Sequence, residues 1–228
     1  MKTIIAKFIK LMKGAPPGKV MNSKPKWIID ESKYLNESEV ARLRQAANRL
    51  QSTGLRQSKF SLVRTCFMLE LGLQAGLRVS EMAALKHQAL LLDNGRSSIL
   101  VNGKGNKTRP VWISLAFKKA CFKYSADKES FNYSTDGDSC LLNNLQGEGI
   151  SKRALQKAFK QLLELAGLPM SYHIHCLRHT YSTFLLRASN NNYRFVQQQL
   201  GHASIRTTQV YAGVMESEGR KAVEKLYG

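Results

Sequence analysis

Acidic residues are scarce in this chain. Its 228 residues include 16 Asp and Glu against 35 Lys and Arg, a formal net charge of +19 at neutral pH. That imbalance excludes an acidic disordered tail and argues against an ordinary metabolic enzyme. It points to an anionic partner, nucleic acid first and an anionic membrane surface second. Charge alone does not separate a DNA enzyme from a passive DNA binder. Paired cysteines are also missing. Cys66, Cys121, Cys140 and Cys176 stand far apart with no CxxC spacing, and no secretory leader precedes them. A zinc site and a disulfide framework are therefore disfavoured, and four reduced thiols in a cytoplasmic protein are expected. No apolar run approaches the ~18 residues that would span a bilayer. There is no glycine-rich loop of the P-loop type, no carboxylate cluster suited to magnesium, and no internal repeat. What is present is a chain that is 43% hydrophobic, enough to bury the core of one large domain, with or without an arm.

The first 33 residues differ from the rest. Ile4, Ile5, Phe8, Leu11 and Met12 recur at helical spacing, with Lys2, Lys7, Lys10 and Lys13 among them. Lysines inside the apolar stretch exclude a signal peptide, and Ala15-Pro16-Pro17-Gly18 stops any helix. Such a segment can serve as a frayed basic arm, an arm that contacts DNA, or a small docking helix.

A globular part is predicted from Tyr34 onward. Asn36 followed by Glu39 has the pattern of a capping box, and Val40, Leu43, Ala47 and Leu50 continue it as a helix. Phe60 to Leu73 is apolar on nearly every side, which predicts a central buried helix ended by Gly76. Ser80 is expected to cap a short helix through Lys86. The period changes after Asp93-Asn94-Gly95. Ser98 to Val101 and Arg109 to Ile113 read as two strands, and Gly103-Lys104-Gly105-Asn106-Lys107 between them reads as a basic, glycine-rich hairpin tip.

Helical signals resume at Leu115. Tyr124 to Gly149 is polar and turn-rich, and reads as a loop with a short ordered segment at Cys140 to Leu142. Leu155, Phe159, Leu162 and Ala166 mark a strong amphipathic helix ended by Gly167 and Pro169. Leu177, Tyr181, Phe184, Leu185 and Ala188 mark another. Shorter helices are expected over Tyr193 to Leu200, Ser204 to Val210 and Ser217 to Leu226. The fold class that follows is α+β, mainly α-helical, with a small antiparallel hairpin or sheet.

Chemistry concentrates in a few places. In His175-Cys176-Leu177-Arg178-His179-Thr180, a helix puts His175 and Arg178 on one face while Leu177 points to the core. That face offers a proton-transfer group beside a permanent cation with a planar donor fork, which suits a phosphate gaining charge in a transition state. A His and an Arg one turn apart are, by themselves, ordinary polar surface. Downstream stand Leu200-Gly201-His202, Thr207-Thr208 and Tyr211, and upstream stands Gly76-Leu77-Arg78-Val79-Ser80-Glu81. A lone tyrosine is commonly a packing residue. The order and spacing of all these pieces together are what is specific.

Five segments carry a resemblance: Gly-Leu-Arg-Val-Ser-Glu at 76–81, Gly-Lys-Gly-Asn-Lys-Thr-Arg at 103–109, His-Cys-Leu-Arg-His-Thr at 175–180, Leu-Gly-His at 200–202 and Thr-Thr-Gln-Val-Tyr at 207–211. Over roughly residues 34–228 the chain resembles the catalytic domain of the tyrosine recombinases, the phage-integrase family of site-specific DNA recombinases. The resemblance implies that Tyr211 attacks a DNA phosphodiester to give a 3′-phosphotyrosyl bond and a free 5′-hydroxyl. Arg78 and Arg178 would clamp the non-bridging oxygens, and Lys104 would protonate the leaving 5′-oxygen, with Lys107 as its rival on the same hairpin. His175 would act as acid or base toward the tyrosine. His202 would hydrogen-bond the phosphate and help position Tyr211, and Glu81 would orient the cluster. Neither a metal nor a nucleotide cofactor is expected.

The same resemblance implies double-stranded DNA as partner, a homotetramer on paired DNA sites, and possible accessory DNA-bending proteins, with no membrane. Only about 33 residues precede the catalytic region, too few for the helical core-binding domain that many members carry. The chain thus looks like the short, nearly stand-alone fimbrial phase-variation recombinases. The expected organisation is a basic arm at 1–33, a catalytic domain at 34–211 and a helical tail at 212–228 that can dock in trans. Met215, Ala222, Val223 and Leu226 give that tail one apolar face. Lys107 on the hairpin and a basic stripe of Lys152, Arg153, Lys157 and Lys160 on one helix are the candidate DNA contacts, against the alternative of a solvated face. Two rival functions share these features: a type IB topoisomerase, and a DNA-binding regulator that has lost catalysis.

Overall fold

The computed structural model describes residues 33–93, 97–103 and 108–201. The basic arm, the hairpin tip with Lys104 and Lys107, the stretch with His202 and Tyr211, the helices expected at 204–210 and 217–226, and the tail lie outside the described residues.

Helix α1 (Glu37–Arg56) starts at the expected capping box. The Asn36 side chain accepts from the Glu39 N–H at 2.9 Å, and the Glu39 carboxylate accepts from the Asn36 N–H at 2.9 Å. It packs along α2 (Phe60–Ala75), the central helix, whose Met68, Leu69 and Leu71 are fully buried. Gly76 ends α2 in the left-handed conformation, with φ 61°. A Cβ there would lie 2.3 Å from the Tyr181 ring, so both the turn and the packing require glycine. Helix α3 (Val79–Ala83) follows.

The sheet is a three-stranded antiparallel meander of β1 (Leu90–Leu91), β2 (Ser98–Asn102) and β3 (Thr108–Trp112), in that spatial order. Ser98 faces Trp112 and Asn102 faces Thr108. The expected hairpin strands are therefore present. β3 is an outer strand, which is why it tolerates Pro110. Four helices complete the described chain: α4 (Leu115–Ser130), α5 (Lys152–Leu165), α6 (His175–Ala188) and α7 (Tyr193–Leu200). Helix α2 touches α4, α5 and α6, so one core surrounds it. A smaller cluster of Tyr34, Tyr181, Leu186, Val196 and Leu200 fastens α7 to α6. Among the described residues no helix is long and apolar enough to cross a membrane.

Two expectations need correction. The loop expected from Tyr124 begins only after α4 ends at Ser130. Phe117, Cys121, Tyr124 and Lys128 are all buried, a helical stripe at offsets 0, 4, 7 and 11. A buried lysine inside Ala126-Asp127-Lys128-Glu129 disguises its last turn. Tyr124 itself stacks on Phe67 with ring centroids 3.9 Å apart and donates to the Leu141 carbonyl at 3.0 Å. Ser80 is likewise not a cap. Arg78 holds the N-cap position, because Glu81 three residues on accepts its backbone N–H at 2.8 Å, and the helix ends at Ala83 rather than Lys86.

Lys128 is 1% exposed and its Nζ lies 3.0 Å from His87 Nε2 and also donates to the Cys140 carbonyl. Burial, and then the Lys128 charge, push the His87 pKa down to about 4. Burial, then the charges of His175, Arg178 and Lys33, do the same to His179, also to about 4. In the unfolded chain both would protonate near ~6.5. The unfolded state therefore binds more protons between these limits, and stability is full above about 6.5 and falls as pH drops toward about 4. Urea denaturation should give a lower unfolding free energy at pH 5 than at pH 7, by about 2 kcal/mol for the nearly buried His87. His87→Gln, which keeps an acceptor for Lys128, should shrink that difference.

Candidate active site

Glu81 is the hub of the site. The first turn of α3 holds it 7% exposed at the centre of three arginines. Its Oε1 accepts from Arg78 Nη1 at 2.8 Å. Arg109, on β3, forks onto the same carboxylate, Nη1 to Oε1 at 3.0 Å and Nη2 to Oε2 at 3.2 Å. Arg178 Nη1 lies 3.8 Å from Oε2. Burial pushes the Glu81 carboxyl up. The Arg109 hydrogen bonds, the Arg78 N–H and the Arg109 and Arg178 charges more than reverse this, and its pKa lies below the ordinary value. Three guanidiniums against one carboxylate leave a local charge of about +2.

Arg178 stands one turn into α6 and is 6% exposed. Its Nη1 donates to the Gly76 carbonyl and its Nη2 to the Leu200 carbonyl, both at 2.7 Å. One guanidinium thus ties the end of α2 to the end of α7. Gly72 lets α6 come close enough, since a Cβ there would meet Leu177 at 2.6 Å. Arg78 is the open member of the trio, with 36% of its side chain exposed. His175 occupies the first position of α6 and stays open to solvent. Neighbouring atoms strip part of its water, and the charges of Arg178, Arg78 and His173 further disfavour another cation. Its pKa therefore lies below the ordinary histidine value, and the ring is neutral at pH 7. The site can hold a phosphate on its guanidiniums with a neutral, proton-accepting imidazole beside it.

The structure brings together Arg78, Glu81, His175 and Arg178 from the residues singled out in the sequence. The basic helix is divided. Lys152, Arg153 and Lys157 are exposed on α5, but Lys160 folds back onto the carbonyls of Met170 and Tyr172, the latter at 2.8 Å. It fastens the loop before α6 instead of extending the stripe. Arg109 and Gln199 were not singled out. Arg109 ends the 103–109 motif, but its partners are 28 and 90 residues away, and no local pattern reports such pairs.

A model of the phage integrase family matches residues 33–218. The chain belongs to that family. Curated phage integrase relatives include the tyrosine recombinase XerC of Lactobacillus delbrueckii subsp. bulgaricus, 38% identical over 162 residues, which are 70% of this chain and 54% of the relative. XerC of Thermodesulfovibrio yellowstonii is 35% identical over 69% of this chain and 52% of its own length. The chain thus spans about half the length of the curated relatives it matches. Among solved structures, the XerH site-specific recombinase bound to palindromic difH substrate in a post-cleavage complex matches with a TM-score of 0.69 and 26% identity, over 84% of this chain and 52% of that one. The XerA recombinase also gives 0.69, at 27% identity over 99% of this chain and 74% of that one. The mainly helical architecture with a small antiparallel sheet is that of this family's catalytic domain.

Proposed function

We propose that this phage integrase family member is a site-specific DNA recombinase that cleaves and rejoins strands through a 3′-phosphotyrosyl intermediate. The observation that carries the reading is the Glu81-centred cluster. Arg78, Arg109 and Arg178 converge on one carboxylate with neutral His175 adjoining, in a chain whose next motifs supply His202 and Tyr211. Arg78 and Arg178 clamp the phosphate oxygens as they gain charge. Tyr211 attacks phosphorus, and its proton leaves toward His175. The 5′-oxygen departs with a proton from Lys104 while His202 bonds the phosphate. Rejoining is the reverse with a new 5′-hydroxyl as nucleophile. The cleavage is a transesterification, so the bond to tyrosine preserves the energy needed to reseal.

Double-stranded DNA is the partner, and the working assembly is a homotetramer on paired sites, aided where required by DNA-bending proteins. The proposed division is an arm at 1–33, a catalytic domain at 34–211 and a tail at 212–228. Exposed Lys152, Arg153 and Lys157 and the hairpin Lys107 supply backbone contacts. DNA affinity is therefore expected to fall steeply with salt, with a log–log slope of about −0.9 per phosphate neutralised. Fluorescence anisotropy between low and moderate salt reads that slope. A nearly flat response would assign the +19 charge to another partner.

The test of the function begins with a random-sequence duplex library. The full chain should leave some duplexes covalently attached after denaturation, and peptide mapping should locate the bond at Tyr211. A plasmid carrying two copies of the recovered sequence should then yield recombinant products. Relaxation of supercoils without recombinants would mean a topoisomerase, and binding without any adduct would mean a regulator.

A further inference from the structure

The outer edge of β3 is occupied by a side chain. At Trp112 the strand turns its backbone away from β2 and toward α7. The Trp112 N–H donates to Gln199 Oε1 at 2.9 Å, and Gln199 Nε2 donates back to the Trp112 carbonyl at 3.1 Å. One primary amide thus replaces the neighbouring strand that this edge lacks. The second N–H of that amide donates to Tyr181 Oη at 3.2 Å, so Gln199, 4% exposed, has every amide group engaged. The same turn of α7 is gripped through its carbonyls. Arg109 Nε donates to the Gln199 carbonyl at 3.3 Å, and Arg178 Nη2 to the Leu200 carbonyl. Gly201 then ends the helix with φ 63°, and a Cβ there would lie 2.6 Å from the Arg109 side chain.

We infer that Gln199 is a positioning residue for strand cleavage: its amide latches β3 to the end of α7 and so gives the Lys104 hairpin and the His202 segment one common reference. The inference rests on the recombinase reading above. Lys104 lies four residues before β3 and His202 directly after Gly201. Arg109 reaches Glu81 from β3, and Arg178 reaches Glu81 from α6. These contacts refer the arginine cluster to both. Without the amide, β3 loses both hydrogen bonds that hold the Trp112 backbone to α7, and the Arg109 hydrogen bond that remains between them is longer, at 3.3 Å. A small displacement of a proton donor costs much rate while binding energy, spread over many phosphates, changes little.

The test uses Gln199→Met, which keeps chain length and apolar packing but has no amide, with Gln199→Glu as a second variant that keeps the acceptor for the Trp112 N–H. The DNA probe is the duplex recovered from the library, made with an ordinary phosphodiester or with a 5′-bridging phosphorothioate at the cleaved position, whose sulfur leaves without a proton. Amide exchange over 108–112 should rise in Gln199→Met. Half-site affinity and folding cooperativity should hold, and adduct formation on the ordinary duplex should fall roughly 10- to 100-fold. The phosphorothioate should restore most of that loss, as it should for Lys104→Ala and should not for Arg178→Ala. Gln199→Glu should fall between Gln199→Met and the wild type.

Unchanged amide exchange, or normal cleavage despite raised exchange, would overturn the positioning role. So would a cleavage defect that sulfur leaves uncorrected in Gln199→Met while it corrects Lys104→Ala. If sulfur fails to rescue Lys104→Ala as well, the acid assignment is what fails. The latch is then decided by amide exchange together with loss of cleavage at unchanged affinity.

Discussion

Tyr211→Phe is expected to reduce covalent DNA attachment to background while half-site affinity and its salt slope stay near wild type. The substitution keeps the aromatic ring and removes only the phenolic oxygen. A free tyrosine has a pKa near ~10, so at neutral pH the phenol attacks only with help from a base and a strong cationic field. In the proposed mechanism the Glu81 cluster would supply the field, with three guanidiniums around one carboxylate, and His175, with its pKa below the ordinary value, would take the proton. In-line attack demands an oxygen at one position relative to phosphorus, so no substitute hydroxyl is expected to restore the adduct. A denaturing gel reads adduct yield directly, and a normal yield from the variant would move the nucleophile elsewhere in the chain.

Arg178→Ala is expected to cost both rate and stability, and the two losses can be separated. Cleavage should fall on the order of 100-fold or more, as when a preorganised donor to a developing oxyanion is removed. The Gly76 and Leu200 carbonyls would lose their guanidinium donors, and a buried acceptor left unsatisfied costs roughly 1–3 kcal/mol. Arg178→Lys keeps the charge. One ammonium cannot reproduce a fork that spans the ends of two helices, so this variant should recover part of the stability and little of the rate. Lys157→Ala, on the exposed face of α5, is the control and should leave both nearly unchanged apart from a shallower salt slope. Single-turnover cleavage beside urea denaturation reads the pair. An Arg178→Ala protein that cleaves within a few-fold of wild type would remove this guanidinium from the chemistry.

Where sequence expectation and structure agree, the cause is local. The Asn36–Glu39 capping box, the left-handed Gly76, the amphipathic α5 and the β2–β3 hairpin all arise from interactions within a few residues, and those interactions leave a periodic or positional mark. The two errors are local marks that tertiary contacts overrode. Tyr124 to Ser130 is polar and charged, but Tyr124 stacks on Phe67 and Lys128 finds His87 and the Cys140 carbonyl inside the protein. Burial supplied what the pattern lacked. At Ser80 a good capping residue was outcompeted by the Glu81 carboxylate reaching back to Arg78, because that carboxylate is already fixed by Arg109.

The sequence by itself determined the fold class and the order of the described helices with the β2–β3 pair, since each depends on residue type and spacing along the chain. Only the tertiary structure decided how the side chains combine. It made Glu81 a shared counterion for three arginines, turned Arg178 into a tie between two helix ends, withdrew Lys160 from the basic stripe, and set Gln199 against the edge of β3. Arg109 and Gln199 stand 90 residues apart yet share one hydrogen bond. A pairing of that range is fixed by how α7 packs on the sheet. Packing is the joint result of many weak contacts, and no window along the chain contains them all.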